Sequence, residues 1–191
     1  MIGDENMPNM IWSQLNNLQL GEYGEYYAKM EFASYGFKVF TSEVDDHGVD
    51  FIAQDNSGKF YEVQVKAIRG SSYTFIKKDK IILDDVHLVC YLRFTDGSLP
   101  EVYIFPATVW NSPNGVFTIH DYKRPEYGIS GAKKYRKALE PYKAINFFEH
   151  LYSSGALSEN TPVSTGMPTG LRMSWISLSK LTASSSPPQM F

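Results

Sequence analysis

The tightest constraint in this chain is a clear alternation within residues 60–68. In an extended segment Val63 and Val65 fall on one side, and Glu62, Gln64 and Lys66 fall on the other, because successive side chains of a strand point to opposite faces. A helix would scatter these positions around its surface. The segment therefore reads as a strand with one apolar and one polar face. Just before it stands Asp55-Asn56-Ser57-Gly58, a hairpin-type turn. The stretch Val49-Asp50-Phe51-Ile52-Ala53 leads into that turn.

The remaining pattern sets helices around this strand. Between Ile11 and Tyr35, Leu15, Leu18, Tyr23, Tyr26, Tyr27, Met30 and Ala33 recur at threes and fours, the period of a helix. Gly36 is placed to stop it. Residues 38–41 read as a short strand. Two more strands, 86–94 and 102–105, are joined by Thr95-Asp96-Gly97-Ser98, and Pro106 closes the second. A second helix is expected from Ser130 to Tyr152, broken or kinked at Pro141. Helix, then four or five strands, then helix is an α/β or α+β order.

With 191 residues, 43% hydrophobic and 20% charged, the chain suits one folded domain and argues against disordered, collagenous or repeat-built classes. The domain is expected over residues 1–152. Residues 153–191, rich in Ser, Thr, Pro and Gly and charged only at Glu159, Arg172 and Lys180, read as a flexible tail. A net charge of -3 means that nucleic-acid contact must come from a local basic patch. The one cysteine, Cys90, excludes an intramolecular disulfide framework and a cysteine zinc knuckle; amid Leu88, Val89 and Leu92 it reads as a buried, inert thiol. No basic-then-apolar leader and no membrane-length apolar run stands in the sequence. The expectation is a soluble protein of a reducing compartment, the cytoplasm, with no membrane partner.

Chemistry gathers in three segments: Gly21-Glu22-Tyr23-Gly24-Glu25 within the first helix, Asp46-His47-Gly48-Val49-Asp50 before a strand, and Glu62-Val63-Gln64-Val65-Lys66 on the next. A magnesium site needs hard oxygen ligands from different elements. Asp50 offers a carboxylate, Gln64 an amide oxygen, Val65 its backbone carbonyl, and Glu25 a second carboxylate from the helix. Lys66 shares the Gln64 face, where it can position water or offset phosphate charge.

These segments resemble the PD-(D/E)xK nuclease superfamily over residues 18–110. Gly21-x-x-Gly24-Glu25 is similar to the helix-borne glutamate of its Holliday-junction-resolvase and Mrr-like branches. Gly48-Val49-Asp50 with Gln64-Val65-Lys66 looks like the Mrr-type variant, in which glutamine replaces the acid. The resemblance implies a restriction-endonuclease-like core, a mixed four- to five-stranded sheet flanked by helices. It also implies a DNA endonuclease using Mg2+, with Lys66, Asp50, Gln64 and Glu25 catalytic, and it admits a homodimer. Glu62, on the Gln64 face, is placed to compensate for the missing acid.

Plainer readings stand beside these. Asp50 can cap a turn, Lys66 can be a solvated edge residue, and Glu25 a surface residue of its helix. His47 reads as a turn residue, and His87, His120 and His150 as structural. Two basic clusters are placed for phosphate contact: Lys77, Lys78 and Lys80, and the favoured Lys133, Lys134, Arg136 and Lys137, with Tyr135 among them either stacking on a base or packing inward. The alternatives to an endonuclease are a catalytically inactive nuclease-like domain that binds nucleic acid or a protein partner, and a structural or oligomerising module.

Overall fold

The structure, a computed structural model, describes residues 9–41 and 48–157. Helix α1 (Asn17–Ser34) opens on a capping box in which Asn16 and Gln19 each accept the other's backbone N–H, satisfying two donors that the first turn would leave orphaned. The expected start at Ile11 gives way to a 3-10 turn at Trp12–Gln14. That turn is tied down from elsewhere. The Arg69 guanidinium donates to the Leu15 carbonyl at 2.7 Å, and the Trp12 indole donates to the Ser98 carbonyl at 2.9 Å. Gly36 ends the helix region with φ of 85°, the conformation that glycine adopts without a Cβ clash.

The helix is as the periodicity predicts, and small residues share its buried face. Leu20, Gly24, Ala28 and Phe32 are buried, while Leu18, Tyr26 and Met30 are exposed. Close approach explains it. A Cβ at Gly24 would stand 2.9 Å from the Ala67 Cβ, so the small residues mark where helix and sheet touch and larger ones are moved aside.

Five strands form the main sheet: β1 (Lys38–Thr41), β2 (Phe51–Gln54), β3 (Phe60–Arg69), β5 (His87–Phe94) and β6 (Glu101–Pro106), in the order β1-β2-β3-β5-β6. The β3–β5 pair is parallel and the other pairs are antiparallel. The fold is thus α/β with a mixed sheet. In the β2–β3 turn, buried Asp55 accepts from the Ser57 and Lys59 N–H groups and from the Tyr61 hydroxyl. Against one face lie α1 and α3 (Ala144–Ser153), around Phe32, Phe51, Val63, Leu92 and Phe148. Cys90 is fully buried, and burial pushes its thiol up.

The other face is covered by a second sheet that sequence reasoning does not foresee. It holds β4 (Tyr73–Lys77), β8 (Glu126–Ser130) and β7 (Phe117–His120), in that spatial order and antiparallel. Ile68, Ile76, Phe105, Trp110, Phe117 and Ile129 fill the space between the layers. This corrects the long helix expected from Ser130. Ser130 ends a strand, short 3-10 and α turns follow, including α2 (Arg136–Leu139), and sustained helix starts only at Ala144. Pro141, which lacks an N–H and crowds the preceding turn, keeps them apart.

The chain stays packed through Leu157, which is 4% exposed, and the Ala156 carbonyl accepts from the Asn56 N–H at 3.1 Å. The expected tail lies, from residue 158 on, outside the described residues. Among the described residues no helix is long and apolar enough to cross a membrane.

Two expectations follow. Nothing lies within 4 Å of a Cβ built at Gly21, so Gly21→Ala should stabilise α1 by about 1 kcal/mol and raise the thermal midpoint. Gly24→Ala should lower it, because overpacking at about 1–3 kcal/mol outweighs the helix gain. For the expected flexible tail, a chain truncated after Leu157 should melt close to the full chain. One ending at Tyr152 should melt several degrees lower, having lost a buried leucine worth roughly 2–3 kcal/mol. Calorimetry on all five proteins checks both.

Candidate active site

The site starts where β2 stops pairing. The β2–β3 ladder runs from Gln54↔Phe60 to Phe51↔Val63, and β3 continues to Arg69. Asp50 bridges the gap. Its N–H donates to the Val63 carbonyl at 2.9 Å, and its Oδ2 accepts the Val65 N–H at 2.6 Å. The carboxylate thus replaces a ladder partner fifteen residues along the chain, which is not the local turn cap of the plainer reading. A residue's N–H and C=O point to the same edge of a strand, so the Val65 carbonyl also faces the Asp50 edge.

The Gln64 and Lys66 side chains project from the face opposite Val65. With Asp50 and Gly48 they line an open pocket of about 340 Å³, walled by Phe75, Ile76 and Lys77 of β4 and by Lys80. Gly48 has φ of 79°, and a Cβ there would lie 3.1 Å from Gln64 Nε2 and from the Lys80 Cβ, so no side chain fits. Gln64 Oε1 is buried without a hydrogen-bond partner. Such an acceptor costs about 1–3 kcal/mol when left without a partner.

Glu25 comes from α1, on the other side of the sheet. Burial raises its carboxyl above the ordinary range, the negative charge of Asp50 adds to this, and Lys29 and Lys66 oppose it. Glu25, Asp50 and Lys66 therefore share one electrostatic neighbourhood. Glu62 does not join them. Its carboxylate meets His87 Nε2 at 3.0 Å, while His87 Nδ1 meets Asp84 at 2.7 Å, so Glu62 is committed to holding β5 beside β3.

The favoured basic cluster lies away from the pocket. Arg136 pairs with Glu101 of β6 at 3.3 Å, two strands beyond β3; Lys133, Lys134 and Lys137 belong to the same short turns. Tyr135 packs inward against the second core. Lys77 and Lys80 line the pocket instead, and an adjoining groove is lined by Lys77, Lys78, Lys123 and Arg124. Sequence reasoning missed Lys123 and Arg124. They sit in the β7–β8 loop, and only the pairing of β4 with β8 brings them beside Lys77. His47 lies outside the described residues.

Among the described residues no three His, Cys, Asp or Glu side chains gather as a metal site. The pocket itself offers the Asp50 carboxylate and Gln64 Oε1, with the Val65 carbonyl on the Asp50 edge of β3 and the Glu25 carboxylate acting on Asp50 from the α1 side. That set suits a hard cation such as magnesium, which takes one or two carboxylates and keeps several waters. The orphaned Gln64 oxygen is the observation behind that fit.

No protein-family model matches the chain, and no curated protein matches it. Among solved structures, the chain is similar to a bacterial homing endonuclease, I-Ssp6803I, at 18% identity and a TM-score of 0.45, over 71% of this chain and 93% of that one. It is also similar to Hjc, a Holliday junction resolvase from the archaeal hyperthermophile Archaeoglobus fulgidus, at 12% identity and a TM-score of 0.37, over 55% of this chain and 86% of that one.

Proposed function

We propose that this chain is a nuclease that hydrolyses phosphodiester bonds in DNA, with a divalent cation, magnesium first, held at Asp50. The observation that carries the reading is the buried Gln64 Oε1, which has no hydrogen-bond partner and belongs to a pocket lined also by Asp50 and Lys66. Asp50, Gln64 through Oε1 and Val65 through its carbonyl would hold the cation, with Glu25 in support from α1. A cation bound there supplies positive charge against the charge developing on phosphate and makes water a better nucleophile. Lys66 orients the attacking water and offsets the negative charge that grows on the phosphate oxygens. The water oxygen forms the new bond to phosphorus, the bond to the leaving alcohol breaks, and the proton passes from the water to that alcohol or to solvent. The Gln-x-Lys pair supports reading the chain alongside the Mrr-like and Holliday-junction-resolvase-like branch of the PD-(D/E)xK superfamily.

Glutamine gives the site one negative charge fewer than an acidic ligand would, so cation binding is weak. Gln64→Glu should tighten magnesium binding by about tenfold, or about 1.4 kcal/mol. Lys66→Ala should lower cleavage by roughly 10²–10⁴-fold while leaving magnesium affinity equal or higher, since it removes a nearby positive charge. Isothermal titration with magnesium, beside a plasmid-nicking assay, reads both effects. If wild type and Gln64→Glu neither bind magnesium nor nick DNA, the reading fails in favour of an inactive binding domain.

A further inference from the structure

The outer face of the β4-β8-β7 sheet carries a row of rings that its own core does not use. On β4, Tyr73 and Phe75 point outward, 46% and 45% exposed, while Ile76 between Phe75 and Lys77 is buried. Their rings lie 6.4 Å apart at 25°. Tyr73 reaches across the middle strand, because a Cβ at Gly128 would collide with its hydroxyl and with Thr118. It meets His120 of β7 at 6.3 Å. His120 in turn stacks on Tyr122 at 5.0 Å and 2°, and Tyr122 is 63% exposed. The row begins at the pocket, since Phe75 is part of its wall.

Cations border the row. Lys78 is taken up by Asp121 at 2.6 Å, and Glu126 accepts from the Tyr73 hydroxyl at 2.8 Å; Asp79 also lines the groove. Lys77, Lys123 and Arg124 are left as the positive groups facing solvent along it. A locally basic strip on a chain of net charge -3 is complementary to a phosphate backbone. Exposed ring faces add something that a duplex cannot use, because its bases are already stacked on one another. Unpaired bases stack on aromatic side chains, and each stack is worth about 1–3 kcal/mol.

We propose that this face binds unpaired nucleotides of the nucleic acid, with bases stacking on Phe75 and Tyr122 and phosphates held by Lys77, Lys123 and Arg124. This deepens the nuclease reading and rests on it for the kind of ligand: the pocket is fed by a single-stranded segment lying along the second sheet.

Fluorescence anisotropy in magnesium-free buffer tests it, with a labelled oligothymidine and a blunt duplex of equal length as probes. Wild type should bind the single strand at least about fivefold more tightly. Phe75→Ala and Tyr122→Ala should each weaken single-strand binding by roughly 5–100-fold and leave the duplex nearly unchanged. The double variant Lys123→Gln, Arg124→Gln should weaken both probes and reduce the single-strand salt slope by about 1.4. Tyr122 is surface-exposed, so its variant reads binding even if Phe75→Ala folds poorly. Equal binding of the two probes, or no loss with the ring variants, overturns the proposal. Plasmid nicking by the same proteins with magnesium separates the two readings. Nicking without ring-dependent binding overturns this inference alone, and ring-dependent binding without nicking supports it while removing the hydrolase.

Discussion

One hydrogen bond holds the candidate site to the fold: the Val65 N–H donating to Asp50 Oδ2 at 2.6 Å. A bond to a charged acceptor contributes about 1.5–3 kcal/mol, but its larger effect is geometric. Gln64 and Lys66 flank Val65 on the same strand, so a carboxylate tied to Val65 is tied in position to both. The Asp50 N–H, bonded to Val63, adds a second fixed point. The same carboxylate that closes the ladder also lines the pocket.

Features governed by local chemistry were legible in the sequence. The alternation of Val63 and Val65 against Glu62, Gln64 and Lys66 is the burial pattern of β3. Gly36, Gly48 and Gly58 all take positive φ where a stop or a turn was read, and Pro141 interrupts helix as proline does. The grouping of Asp50, Gln64 and Lys66 at one pocket follows from strand periodicity and one hairpin.

Features that depend on distant pairing were not legible. On β4 the aromatic residues face outward and only Ile76 is deeply buried, so its polarity pattern is inverted relative to an ordinary surface strand. Ser130 before a run of lysines imitates a helix cap, yet it pairs with Tyr73. Glu62 was correctly placed on the polar face, but its partner His87 arrives through the parallel β3–β5 register, which no local pattern encodes. The helical period of α1 was legible, but its closest approach to the sheet was not. The period was read from large apolar residues, whereas the contact with β3 is made at Gly24, where small size rather than hydrophobicity decides the fit.

The pairing of β4 with β8 makes the pocket depend on a distant part of the chain. Tyr73 and Glu126, joined across that pair, are 53 residues apart in the chain, and closing so long a loop costs entropy before any contact compensates. A nascent chain that has emerged only through β3 already carries Glu25, Asp50, Gln64 and Lys66. It lacks the registered strand that positions Phe75, Ile76 and Lys77 against them. The wall of the pocket, Phe75, Ile76 and Lys77, is thus held in register by β8, a strand that contributes no residue to the pocket lining.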